Sequence, residues 1–164
     1  MSLQKCGGFQ ILRLLSSLIF SYDEGIMEER LKKFNKEFFG PSMEFFNLKF
    51  ESIEHEKIKF SCIFNNQCGN PMGFVQGGMI SAALDDATSA AMISGYEERK
   101  APMTTDLHIL FHRPLQIGKA YMEVKIIKLG QRSATSEGRM YNLEGKLVAT
   151  LMHTAQPVDT SSAR

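Results

Sequence analysis

Residues Met79 to Ser94 read MISAALDDATSAAMIS. Ala, Met, Ile and Leu dominate this run, and neither proline nor glycine interrupts it, so the pattern predicts a helix that is apolar on most of its sides. Such a helix needs cover all round and belongs in the interior of the domain. Gly95 supplies its stop. Two aspartates, Asp85 and Asp86, sit in its middle. A carboxylate buried without a partner costs several kcal/mol, so each needs pairing, a solvated cleft or a function.

Outward from this helix the chain alternates as strands do. On the N-terminal side, Phe46, Leu48 and Phe50 alternate with polar residues, as do Ile58, Phe60, Cys62 and Phe64, with the polar turn Glu54-His55-Glu56 between them. Residues 65–78, NNQCGNPMGFVQGG, hold four glycines and a proline and read as a loop. Beyond the helix, strands are expected over 104–112, 120–129, 133–142 and 146–155. Gly130 and Glu144-Gly145 mark the short turns between them. Further upstream, Met27, Leu31, Phe34 and Phe38 form one helical stripe over 26–39, stopped at Gly40-Pro41. The order is helix, two strands, long helix, four strands. One long apolar helix inserted into an antiparallel meander suggests an α+β fold in which the sheet wraps that helix, the hot-dog arrangement. An exposed edge strand in such a sheet invites pairing with a second copy.

A chain of 164 residues suits one domain. Lys and Arg number 19 against 18 Asp and Glu, with no basic run, which argues against nucleic acid as the main partner. The odd set Cys6, Cys62 and Cys68 lacks metal or disulfide spacing, and reduced cysteines in a cytoplasmic protein are expected. No HExxH run or other ligand spacing indicates a metal, and there is no GxSxG elbow. Phe9 to Phe20 is apolar but too short to span a bilayer. No small-x-small cleavage pattern follows it, so a helix packing on the domain or a partner subunit is expected rather than a signal peptide. His108, His112 and His153 fall in strands and read as surface or structural.

Helical phase separates the two aspartates. Asp85 shares a face with Gly78, Ser81, Thr88, Ser89 and Met92, a small and polar strip suited to lining a cleft. Asp86 points about 100° away, among Ala82, Ala83 and Ala90. The two therefore cannot form a close acid–base pair within one copy, and Asp85 is the one expected in the cleft. Gly77 and Gly78 lie at the helix start, where free amides can hold developing negative charge and the missing side chains let a ligand close in. A thioester carbonyl becoming an oxyanion is a suitable target.

The segment from Asn70 to Asp85 resembles the phenylacetate-degradation (PaaI-like) type of hot-dog acyl-CoA thioesterase. That family has Asn, five residues, His-Gly-Gly, then Asp seven residues after the second glycine. Here Asn70, Gln76-Gly77-Gly78 and Asp85 keep the spacing, with Gln in place of His. The stretch Thr104 to Phe111, followed by Arg113-Pro114, also looks like the family's strand after the helix. The resemblance covers about residues 40–156. It implies a thioesterase domain over 41–158, a helical extension over 1–40 and a tail over 159–164. It implies Asp85 as nucleophile or general base, the amide of Gly77 or Gly78 on the thioester oxygen, and Asn70 and Gln76 orienting the carbonyl or water. Thr104 would set a hydroxyl near the attacking group, and Lys128, Arg132 and Ser133 could meet the phosphates of CoA. Gln76 can donate a hydrogen bond but cannot titrate near neutral pH. No cofactor beyond the substrate's own CoA is implied. The expected assembly is a homodimer, with two dimers making a tetramer. The alternative is a non-catalytic acyl-CoA-binding or regulatory module that kept the fold. Acyl chain length, and CoA versus acyl carrier protein, stay open.

Overall fold

The computed structural model describes residues 24–37 and 40–160 and, of residues 34–37, the backbone only. Residues 1–23, Phe38, Phe39 and residues 161–164 lie outside the described residues, as does the Phe34 side chain. The apolar run Phe9 to Phe20, Cys6, most of the extension and the end of the tail therefore fall outside it too.

Helix α1 (Glu24–Glu37) is followed by a short helix α2 (Pro41–Phe45). Pro41, expected as part of a helix stop, opens this helix: its fixed φ and missing N–H suit a first helical turn. Phe46 and Leu48 were expected in a strand, yet Phe46 closes α2 and the strand begins at Lys49. Both are buried all the same, and the Phe46 ring meets that of Phe64 edge-on at 5.6 Å. Strands β1 (Lys49–Glu54) and β2 (Lys57–Phe64) form a hairpin whose two turn residues, His55 and Glu56, both take positive φ. Such turns match the right-handed twist of the flanking strands.

The central helix α3 runs from Gly77 to Gly95, two residues earlier than the apolar pattern marks. Gln76 accounts for the difference. It is the N-cap, and its side-chain oxygen accepts from the Met79 amide at 3.1 Å, so both glycines enter the first turn. Ala83, Leu84, Ala87, Ala90 and Ala91 are buried. Small residues on α3 let the sheet come close. A Cβ on Gly138 of the sheet would lie 3.0 Å from the Thr88 methyl, and one on Gly95 would lie 2.5 Å from Leu129.

Strands β3 (Lys100–Phe111), β4 (Gly118–Leu129), β5 (Ala134–Tyr141) and β6 (Leu147–Asp159) complete one six-stranded sheet. Its order is β1-β2-β4-β5-β6-β3, and every pairing is antiparallel. A simple meander would put β3 beside β4. Instead β3 crosses the sheet, pairs with β6 and becomes an edge. The sheet wraps α3, while α1 packs on α3 and β1. Strand β6 runs one residue into the expected tail, and Thr160 donates to the Arg99 carbonyl at 3.2 Å. Among the described residues no helix is long and apolar enough to cross a membrane.

Candidate active site

Asp85 leaves α3 toward β3 and β6. The Thr104 hydroxyl on β3 donates to its Oδ1 at 3.2 Å, and His153 Nδ1 on β6 lies 3.6 Å from the same oxygen. The carboxylate side chain is 33% exposed, so it reaches the surface rather than sitting sealed in the core. Thr104 owes its direction to an irregularity in β3. The register with β6 jumps between Thr104 and Asp106, leaving Thr105 as an extra residue. Bulges of this kind re-aim a neighbouring side chain.

His153 is the residue that sequence reasoning missed. It lies in β6 with no accessible surface. Its Nδ1 is 2.8 Å from Thr88 Oγ1 and its Nε2 is 3.1 Å from Thr104 Oγ1. The Thr88 hydroxyl also reaches the Leu84 carbonyl at 2.7 Å. The donor and acceptor roles of the two ring nitrogens depend on the tautomer: Nε2–H donated to Thr104 leaves the Thr104 proton for Asp85, whereas Nδ1–H donated to Thr88 makes Nε2 compete for it. Burial pushes the His153 pKa down, which favours the neutral ring, with the Asp85 charge opposing. The alternation of β6 signals that His153 faces inward, yet nothing in its neighbourhood names Asp85 as its companion, 68 positions away.

Asp86 leaves the helix on another side. Its Oδ1 accepts from the Ser42 hydroxyl of α2 at 3.0 Å, and its Oδ2 is buried without a hydrogen bond from the described residues. Burial pushes its carboxyl up to about 6; the Ser42 bond opposes that shift and the Asp85 charge adds to it. A raised acid favours the protonated form in the folded state. The stability Asp86 contributes is therefore greatest below its unfolded value near 4 and is lost as the pH rises through about 6. Asp86→Asn should raise stability at pH 7.5 by on the order of 1 kcal/mol after allowing for solvent screening. Thermal melts at pH 4 and 7.5 check this; the gain should be absent at the lower pH.

The first turn of α3 supplies donors. The amides of Met79 and Ile80 go to the Gln76 carbonyl at 2.9 and 3.3 Å. No hydrogen bond among the described residues takes the amide of Gly77 or Gly78. Gln76 spends its side-chain oxygen on the cap, leaving its NH2 group as the donor. Asn70 shapes the loop in front. Its Oδ1 accepts from the amides of Met72 and Phe74 at 2.9 and 3.1 Å. The loop is anchored by Gln76 N to the Cys68 carbonyl at 2.8 Å. Lys128 donates to Ser133 at 3.4 Å across the β4–β5 turn. That turn follows Leu129, which packs on Gly95 at the far end of α3, about 15 Å along the helix from Asp85. The structure thus gathers Asp85 and Thr104 at one point and Gln76, Gly77 and Gly78 at another. Asn70 stands in the loop beside the latter, and Lys128, Arg132 and Ser133 stand apart. His108 and His112 are exposed on β3 and just after it. Cys62 and Cys68 are free and buried, and burial pushes the Cys62 thiol up to about 12.

Known proteins share this architecture. A thioesterase of Haemophilus influenzae superposes with a TM-score of 0.71, at 19% identity, over 79% of this chain and 90% of that one. A phenylacetic acid degradation-related protein of Ralstonia eutropha, described as a candidate thioesterase, gives 0.69 at 24% identity, over 77% and 98%. The fold is the hot-dog fold. Within it, residues 72–149 match the family model described as the thioesterase superfamily. A Saccharolobus solfataricus protein whose name calls it a candidate esterase is 28% identical over 112 residues, 67% of this chain and 73% of that one. The matched hot-dog segment contains Gln76, both glycines, Asp85 and Thr104, and ends before His153.

Proposed function

We propose that this hot-dog protein hydrolyses acyl-CoA thioesters to the free acid and CoA, at sites shared between two copies. The observation that carries the reading is the partly exposed Asp85 carboxylate, held by Thr104 beside the buried His153. The thioesterase superfamily match over the same segment supports it. Thr104 takes one carboxylate oxygen, which leaves the other to accept a proton from water. Asp85 then acts as the general base as the water oxygen attacks the thioester carbon. A free amide at Gly77 or Gly78 holds the oxyanion, and the C–S bond breaks as the tetrahedral intermediate collapses. The thiolate of CoA leaves and takes up a proton. Single turnover in 18O-labelled water should put label in the acid alone; label appearing in Asp85 would mean direct attack by the carboxylate instead.

Two turns of helix, about 10 Å along the axis, separate Gly78 from Asp85. Each group has to come within about 3 Å of its reacting partner. One copy's amides and carboxylate therefore serve different sites, and an antiparallel second copy would bring Asp85 to face Asn70, Gln76 and Gly78 across the interface. The β3 edge suits that pairing, with Met103 and Leu110 both more than half exposed. Lys128, Arg132 and Ser133 remain candidates for CoA phosphates, and a tetramer of such dimers completes the proposed assembly.

Gln76 has two duties, and substitution separates them. Gln76→Ala should lower kcat/KM by about 1–3 kcal/mol of transition-state stabilisation, and it should also cost about 1 kcal/mol of stability as the cap is lost. Gln76→Ser should recover the melting temperature and not the rate, because serine caps the helix and cannot reach as far. Gln76→His, which can donate, should keep measurable activity. An unchanged rate in a folded Gln76→Ala protein removes Gln76 from the site. Thiol release from a panel of acyl-CoAs tests the whole reading; binding without release would favour the non-catalytic module.

A further inference from the structure

A cavity of about 380 Å³ opens between the start of α3 and the end of β3. Its floor is Val75, Ile80 and Leu115, each less than 5% exposed, while the exposed His112, Arg113 and Pro114 also line it. The Val75 amide donates to the Leu115 carbonyl at 2.8 Å and ties the two sides of that floor together. Phe111 forms one wall. Its side chain is half exposed, yet its ring packs directly on Gly77: a Cβ there would lie 3.2 Å from the ring. Glycine at this position thus admits the phenyl ring beside an amide that no described residue occupies. A free donor, an aromatic wall and an apolar floor form one continuous surface.

Resting on the thioesterase reading, we propose that this cavity receives the acyl chain of the substrate and that Phe111 sets how large that chain can be. A carbonyl held at the Gly77 amide sits at the mouth of the cavity, with two substituents to place. The pantetheine arm carries amides that lose their water partners on burial; the floor supplies no polar side chain to replace them, and His112 and Arg113 at the exposed side already bond Thr150 and the Leu147 carbonyl. The acyl chain loses nothing there and gains from each methylene it buries. Phe111 packs on Gly77 beside the carbonyl position and walls the cavity, so the size of its side chain limits what fits.

The test is kcat/KM for straight-chain acyl-CoAs from acetyl to dodecanoyl, with wild type, Phe111→Ala and Phe111→Trp, each verified by melting. Within the accommodated range kcat/KM should rise by about fourfold per methylene and then break. Phe111→Ala should move the break to chains longer by about two carbons, and Phe111→Trp should move it shorter. Inhibition by free CoA should be the same in all three. Superimposable profiles overturn the proposal. So does a uniform shift in every substrate together with CoA inhibition, which would assign the cavity to pantetheine. If wild type releases no thiol, the thioesterase reading fails on its own. Calorimetry with non-hydrolysable acyl-CoA thioethers then reads the same chain-length ladder, and the lack of a Phe111-dependent break there overturns the cavity assignment.

Discussion

Asp85→Asn is expected to lower thiol release by about three orders of magnitude while leaving the fold and CoA binding in place. An amide has nearly the size of the carboxylate, and its oxygen still accepts from Thr104, now 3.2 Å from Oδ1. It cannot take a proton from water. The change also removes the charge that opposes the fall in the His153 pKa, which favours the neutral, packed ring. Asp86→Asn is the matched control, one residue away with the same change in charge. Its partner is Ser42 of α2, not Thr104. Turnover should survive in that variant, and stability near neutral pH should rise. A dead, well-folded Asp86→Asn beside an active Asp85→Asn would reverse the assignment of the two carboxylates.

Mixing two crippled chains should restore activity. Asp85→Ala lacks the base and keeps Gln76, while Gln76→Ala lacks the donor and keeps Asp85. If each site takes Asp85 from one copy and Gln76 from the other, a mixed dimer holds one site with both native groups and one with neither. Random exchange at equal concentrations makes about half the dimers mixed, so about a quarter of all sites become native. The assay is thiol release after co-refolding, compared with the sum of the two variants measured separately. Strict additivity, or full activity from a monomer at the assay concentration by light scattering, would rule out the shared site.

Periodicity made most of the fold legible. The alternation in β2, β3 and β4 and the apolar run of α3 are local patterns, and local patterns survive in the sequence. The β3 crossing to β6 is not local. It depends on which edge is left open after the β4-β5-β6 hairpins form, and no residue in β3 states that. The start of α3 was misplaced because glycines look like loop; the cap hydrogen bond from Met79 to Gln76 is what draws them into the helix. At the site, helical phase separated Asp85 from Asp86, and the structure sends their side chains to β3 and α2 respectively. The bulge at Thr105 and the meeting of His153 with Thr88 and Thr104 arise from pairing across the sheet, where a single sequence leaves no spacing to read.

The central claim is hydrolysis of a CoA thioester by Asp85. The most direct measurement is steady-state release of free thiol from a panel of acyl-CoAs by the purified protein, wild type beside Asp85→Asn. The account predicts turnover of at least one acyl-CoA by wild type and its loss in the variant, with both proteins melting alike and binding CoA alike. Saturable acyl-CoA binding by wild type with no thiol released from any member of the panel, or equal release by both proteins, would contradict it.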